Sequence, residues 1–95
     1  MNYTDTQLKQ ALAKMLPEKV YMNTNGGPMY HRLDGKPQLV IDTELLHLCH
    51  QVELTLSWPE YSLFKIGLVG QLLRVESASW QQRVEALAEV KGIEI

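Results

Sequence analysis

Apolar residues recur along this chain first at a helical spacing, then in short extended runs, then at a helical spacing again. Leu8, Ala11, Leu12, Met15 and Leu16 share one face of a helix. Thr4-Asp5-Thr6-Gln7 precedes them as a capping box, in which the Thr4 hydroxyl and the Gln7 side chain satisfy each other's free backbone N–H groups. Tyr3 and Leu8 stand where a hydrophobic staple would close over that start. Pro17 forces its predecessor out of the α region, so the pattern predicts a first helix from about Asp5 to Met15.

The period then changes. Val20-Tyr21-Met22 is short and strand-like, and Asn23-Thr24-Asn25-Gly26-Gly27-Pro28 breaks the chain. Met29–Leu33 and Gln38–Ile41 flank Asp34-Gly35, a dipeptide suited to a tight turn with positive φ, and together they read as a hairpin. Pro37 marks a strand start or an edge. A lone hairpin is marginal in water, so helices must cover one of its faces.

Three more helices follow. Asp42 is the expected N-cap of the second, with Ile41 and Leu46 as its staple and Leu45, Leu48, Cys49, Val52 and Leu56 as its apolar stripe. Ser57-Trp58-Pro59-Glu60 is a second capping box, so the second helix must end near Thr55. Tyr61, Phe64, Leu68, Leu72 and Val75 carry the third helix, in which Gly67 and Gly70 suggest close approach to another backbone. Ser79-Trp80-Gln81-Gln82 opens a fourth helix that ends at Gly92. The fold class is α+β: a β-hairpin, or a three-stranded antiparallel sheet if Val20–Met22 joins it, packed against about four helices. The order is α-β-β-α-α-α with a place for one extra strand, and the second helix's stripe is expected at the centre of the core.

A chain of 95 residues supports a single domain spanning 1–95. With 45% hydrophobic and 21% charged residues it has the balance of a globular protein rather than a disordered one. The formal charge is −2 and the nine basic residues form no run, so the positive field that releases phosphate counterions is missing and nucleic acid is not an expected partner. One cysteine permits no internal disulfide. Met1-Asn2-Tyr3-Thr4-Asp5 is not the start of a signal peptide, and no apolar run approaches the ~20 residues of a membrane span. A cytoplasmic location without membrane association is the expectation.

The best metal candidate is the second helix, where Glu44, His47, Cys49, His50 and Glu53 cluster, with His31 nearby in the hairpin. At 100° per residue with Leu45 at zero, Cys49 falls at about 40°, His50 at about 140° and His47 at about 200°. Cys49 thus belongs to the core face, where a free thiol acts as a small hydrophobe. His31, His47 and His50 remain as the alternative metal or small-ligand set, with no second cysteine to complete it. No nucleophile elbow is present, Cys49 has no base on its own face, and Glu44, Glu53 and Glu60 read as solvated helix carboxylates. Asn25-Gly26-Gly27 lacks the Lys-Ser/Thr ending and following helix of a phosphate loop. No catalytic residue, cofactor or metal is therefore assigned.

Trp58, Tyr61 and Trp80 lie near helix starts, where aromatics mostly supply core area and otherwise mark interfaces. Leu54 falls opposite the second helix's stripe, among His47, His50 and Gln51, and the expectation is that another helix covers it. His47, His50, Leu54, Trp58, Tyr61 and Trp80 together form the candidate interaction surface. The segment Trp80-Gln81-Gln82-Arg83-Val84-Glu85-Ala86-Leu87-Ala88 resembles the C-terminal helix of short uncharacterised proteins of phage or prophage type. That resemblance implies a phage association and carries no activity or functional residue. The expected function is a non-enzymatic interaction module that binds another protein or itself.

Overall fold

The computed structural model describes residues 3–22, 28–32, 35–69 and 77–95. Among them the order is α1 (Asp5–Met15), β1 (Val20–Met22), β2 (Met29–His31), β3 (Gln38–Leu39), α2 (Asp42–Glu53), α3 (Trp58–Val69) and α4 (Trp80–Lys91). This is the α+β arrangement that the hydrophobic pattern predicts, with Val20–Met22 supplying the third strand.

The local signals act as expected at α1 and α4. Thr4 Oγ1 accepts from the Gln7 N–H at 3.2 Å while Gln7 Oε1 accepts from the Thr4 N–H at 2.8 Å. Ser79 and Gln82 repeat this pair at α4, with distances of 3.3 and 2.8 Å. Ser57 and Glu60 do the same before α3, where the Ser57 N–H donates to Glu60 Oε1 at 2.9 Å. At the far end of α4, Gly92 takes the left-handed conformation with φ 68°, and the Ile93 N–H reaches back to the Ala88 carbonyl. That is a Schellman stop, available to glycine because no Cβ opposes positive φ.

The start of α2 departs from expectation by one residue. Ile41, not Asp42, is the N-cap, and Asp42 is the first helical residue. Ile41 has no side-chain acceptor, so only the return half of a capping box exists: Glu44 Oε1 accepts from the Ile41 N–H at 3.3 Å. Burial explains the shift. The staple positions become Val40 and Leu45, both buried in the core, while Ile41 and Leu46 stay exposed.

The sheet is an antiparallel meander in the order β1-β2-β3. Its register pairs Val20 with His31, Met22 with Met29 and Tyr30 with Leu39. Alternation then sorts the faces: Val20, Met22 and Met29 turn to the core, with β1 against α1, whereas Tyr21, Tyr30 and Leu39 turn outward. The two tyrosine rings stack with centroids 5.7 Å apart, and the Arg32 guanidinium lies over Tyr21 at 5.0 Å. The β2–β3 connection carries the expected positive φ at Gly35, which is 103°. Leu33 and Asp34 of that turn lie outside the described residues, as do the Asn25-Gly26-Gly27 segment, Gly70, Leu72 and Val75.

The core stripe of α2 is buried as predicted at Leu45, Leu48, Cys49 and Val52. Leu56, placed in the same stripe, lies beyond the helix end and is only half-buried against the core. The centre of the bundle is, however, α4 rather than α2. It packs against α1, α2 and α3 alike, and Arg83, Val84, Ala86, Leu87 and Ala88 are all buried on it. Those positions span more than half of the helix circumference, as a helix enclosed by three neighbours requires. Ala86 gives α3 a close seat: a Cβ placed on Gly67 would stand 3.7 Å from that of Ala86, an ordinary contact that does not itself demand glycine.

Candidate functional site

The outer side of α2 is divided by its neighbours into two separate depressions. The first, of about 320 Å³, is lined by Lys19, His31, Glu44, His47, Leu48 and Gln51. Antiparallel pairing of β1 and β2 brings His31 to the N-terminal turn of α2, where its Nε2 donates to Glu44 Oε2 at 2.5 Å. Lys19 Nζ donates to Gln51 Oε1 at 2.7 Å on the same side. The Ile41 N–H, and then the His31 ring, hold the Glu44 carboxyl below its usual range. The polar groups of this cleft are thus largely engaged with one another as clasps between the sheet and α2.

The second depression, of about 420 Å³, lies at the α2–α3 corner and is lined by His50, Glu53, Leu54 and Tyr61. Beneath it the Glu53 carboxylate accepts from Arg83 Nη1 at 2.9 Å. The other carboxylate oxygen, Oε2, is buried at 4.0 Å from His50 Nε2 and has no hydrogen-bond partner among the described residues. Sequence reasoning missed Arg83, although its place one residue before Val84 and four before Leu87 sets it inside the α4 core stripe.

This division separates the histidines. His31 and His47 border one depression and His50 the other. Among the described residues no group of three or more His, Cys, Asp or Glu is arranged to hold a metal ion. Cys49 sits in the core as its position on the helix requires, and its thiol donates weakly to the Trp80 carbonyl at 3.7 Å. Burial, and then the neighbouring Glu53, push that thiol up to about 12, so no thiolate nucleophile forms near neutral pH. A third cavity, of about 820 Å³, lies between Tyr3 and the α4 C-terminal segment. Among the described residues its lining holds Glu85, Glu89 and Glu94 but no serine, cysteine or histidine that would make a nucleophile–base pair.

The six residues expected to form one interaction surface therefore divide. His50, Leu54 and Tyr61 meet at the corner groove. His47 belongs to the sheet-side cleft, and Trp80 packs against the core instead of facing out. Leu54 is not covered by another helix: it is the helix C-cap and 86% exposed. Trp58 reverses the usual tendency of large aromatics and is 77% exposed.

Trp58 is one end of a longer feature. Leu63, Ile66 and Val69 are also exposed, by 58%, 66% and 58%. Around the helix the outward arc runs Trp58, Val69, Ser62, Ile66, Pro59, Leu63, with no charged residue in it. The opposite side carries Phe64 and Leu68 into the core, with Tyr61 half-buried beside them. The flanking charges are committed elsewhere: Glu60 caps Ser57, and Lys65 Nζ lies 5.3 Å over the Tyr61 ring. Apart from the flanking Glu60 and Lys65, α3 carries large apolar residues on both sides yet is buried on one side only.

Compared with protein-family models, curated proteins and solved structures, the chain matches none of them. Among the described residues no helix is long and apolar enough to cross a membrane.

Proposed function

We propose that this protein is a non-enzymatic protein–protein interaction module that binds through the outward face of α3, with Leu54 at the adjoining corner. The observation that carries this reading is the exposure of Trp58, Leu63, Ile66 and Val69 on one charge-free arc. Single exposed apolar residues are ordinary, but a contiguous row on one helix marks a surface made to be covered. A tryptophan within it is the residue type that most often anchors such contacts. Of the surface expected from sequence, His50, Leu54, Trp58 and Tyr61 remain at this corner, while His47 and Trp80 are left out.

Ile66→Lys puts a charge in the middle of the arc without touching the core. Affinity capture from the source cells is compared between the natural chain and this variant, with Leu39→Lys on the exposed strand β3 as control. The reading expects partners that the natural chain and Leu39→Lys retain and Ile66→Lys loses. Identical capture by all three, with unchanged melting curves, would overturn it.

A further inference from the structure

We infer that the occupant of the α3 face is a second copy of this chain, paired through α3 about a two-fold axis; this rests on the reading of that face as a binding surface. Three observations select a copy of the same chain over a charged partner. The first is area. Scaling Trp58, Leu63, Ile66 and Val69 by their exposure, at ~250 Å² for tryptophan and ~100–130 Å² for the aliphatics, gives about 400 Å² of apolar surface. A standard interface buries about 800 Å² per partner and homodimer interfaces are about 65% apolar, roughly 520 Å², so the arc supplies most of the apolar area a stable pair needs.

The second is charge. A two-fold contact sets a patch against itself, so any net charge on it is repelled by its own image. The arc from Trp58 to Leu63 has no charge, and the flanking Glu60 and Lys65 are of opposite sign and engaged within their own helix region. Among the described residues nothing on this face is arranged to meet an acidic or basic partner, whereas an uncharged apolar strip is complementary to itself. The third is shape. The exposed apolar residues recur along the whole of α3 from its first residue, Trp58, to its last, Val69. A straight strip of that kind suits ridge-into-groove packing against an identical helix.

Sedimentation equilibrium on the full chain, from about 1 to 200 μM, reads the association state directly. The expected result is a reversible shift toward twice the 10.9 kDa chain mass as concentration rises. Ile66→Lys should hold the monomer mass at least tenfold higher in concentration, and Leu39→Lys should behave as the natural chain. Tryptophan emission supplies a second readout: the exposed Trp58 share should shift to the blue and resist acrylamide quenching as the dimer forms, over a constant background from Trp80, which packs against the core. A natural chain that stays monomeric to 200 μM overturns the inference, and so does a dimer that Ile66→Lys and Trp58→Lys leave intact. If the chain is monomeric but Ile66→Lys still abolishes capture of another protein, the face remains a binding surface and only the second copy is refuted.

Discussion

The Arg83 guanidinium of α4 lies 2.9 Å from the Glu53 carboxylate of α2, with 5% and 11% of the two side chains exposed. Arg83 Nε also donates to the Ala78 carbonyl at 3.3 Å, so the pair fastens α2 to the start of α4. Such a pair costs nearly as much desolvation as it returns in attraction, but removing one member strands the other in the interior. Arg83→Ala is expected to destabilise by about 3–5 kcal/mol in urea melts. Arg83→Met with Glu53→Leu should recover most of that loss; a double variant as unstable as the single would refute this account.

The orientation of α2 is tested by a pair of truncations. Leu48 is buried in the core and His50 is exposed two residues further on. Leu48→Ala should cost about 2–5 kcal/mol through lost transfer energy and a residual cavity. His50→Ala should cost within about 0.5 kcal/mol, as surface changes usually do. Equal losses in the two melts would mean that the helix is turned the other way.

Acid should weaken the clasp between the sheet and α2. The folded pKa of Glu44 is lowered by the Ile41 N–H and by His31, so its contribution is fully present above the unfolded glutamate value, about 4.3. It is lost as pH falls from there through the lower folded pKa. Glu60 is lowered in the same direction by its bonds to Ser57 and adds to the effect. Stability measured from pH 6 down to 2 should fall less steeply in Glu44→Gln, which keeps a capping acceptor but no longer titrates. An unchanged slope would remove Glu44 from the acid response.

Cys49 should be silent toward thiol reagents in the native protein. It is fully buried, and its thiol is pushed up to about 12. At pH 8 a disulfide reagent should label it only as fast as the chain opens, and one thiol per chain should appear at once in denaturant. Rapid labelling of the folded protein would show that the α2–α4 seam is open.

The parts of this fold that are legible in the sequence are those decided within a few residues. Thr4 with Gln7 and Ser79 with Gln82 announce two helix starts because both bonds of a capping box close locally. The start of α2 is misread by one residue because a good capping side chain, Asp42, competes with burial of Val40 and Leu45, and burial is the larger effect. The centrality of α4 is hidden because Ala86 and Ala88 barely register as apolar, although small side chains are what allow three neighbours to come close. The candidate site was half legible. A helix with large apolar residues on both sides reads as a buried one, so Leu63, Ile66 and Val69 signal contact without saying which side the chain itself supplies. Only the packing of Phe64 and Leu68 against the rest decides that.

The helix that fills the middle of the bundle is also the last of the four to leave the ribosome. While it is still being made, α1, α2 and α3 have been synthesised, but the surface formed by Val84, Ala86 and Leu87 is not yet there to receive Leu12, Val52 and Phe64. Pairing α1 with α4 joins the two ends of the described chain, a long-range contact whose loop-closure entropy must be met before it returns any stability. Growing at about 5–20 residues per second, the nascent chain therefore spends seconds with its leucine-rich faces bare. The seat of α4 is thus filled in a single late event, and until then the faces of α1, α2 and α3 that it covers lack their common neighbour.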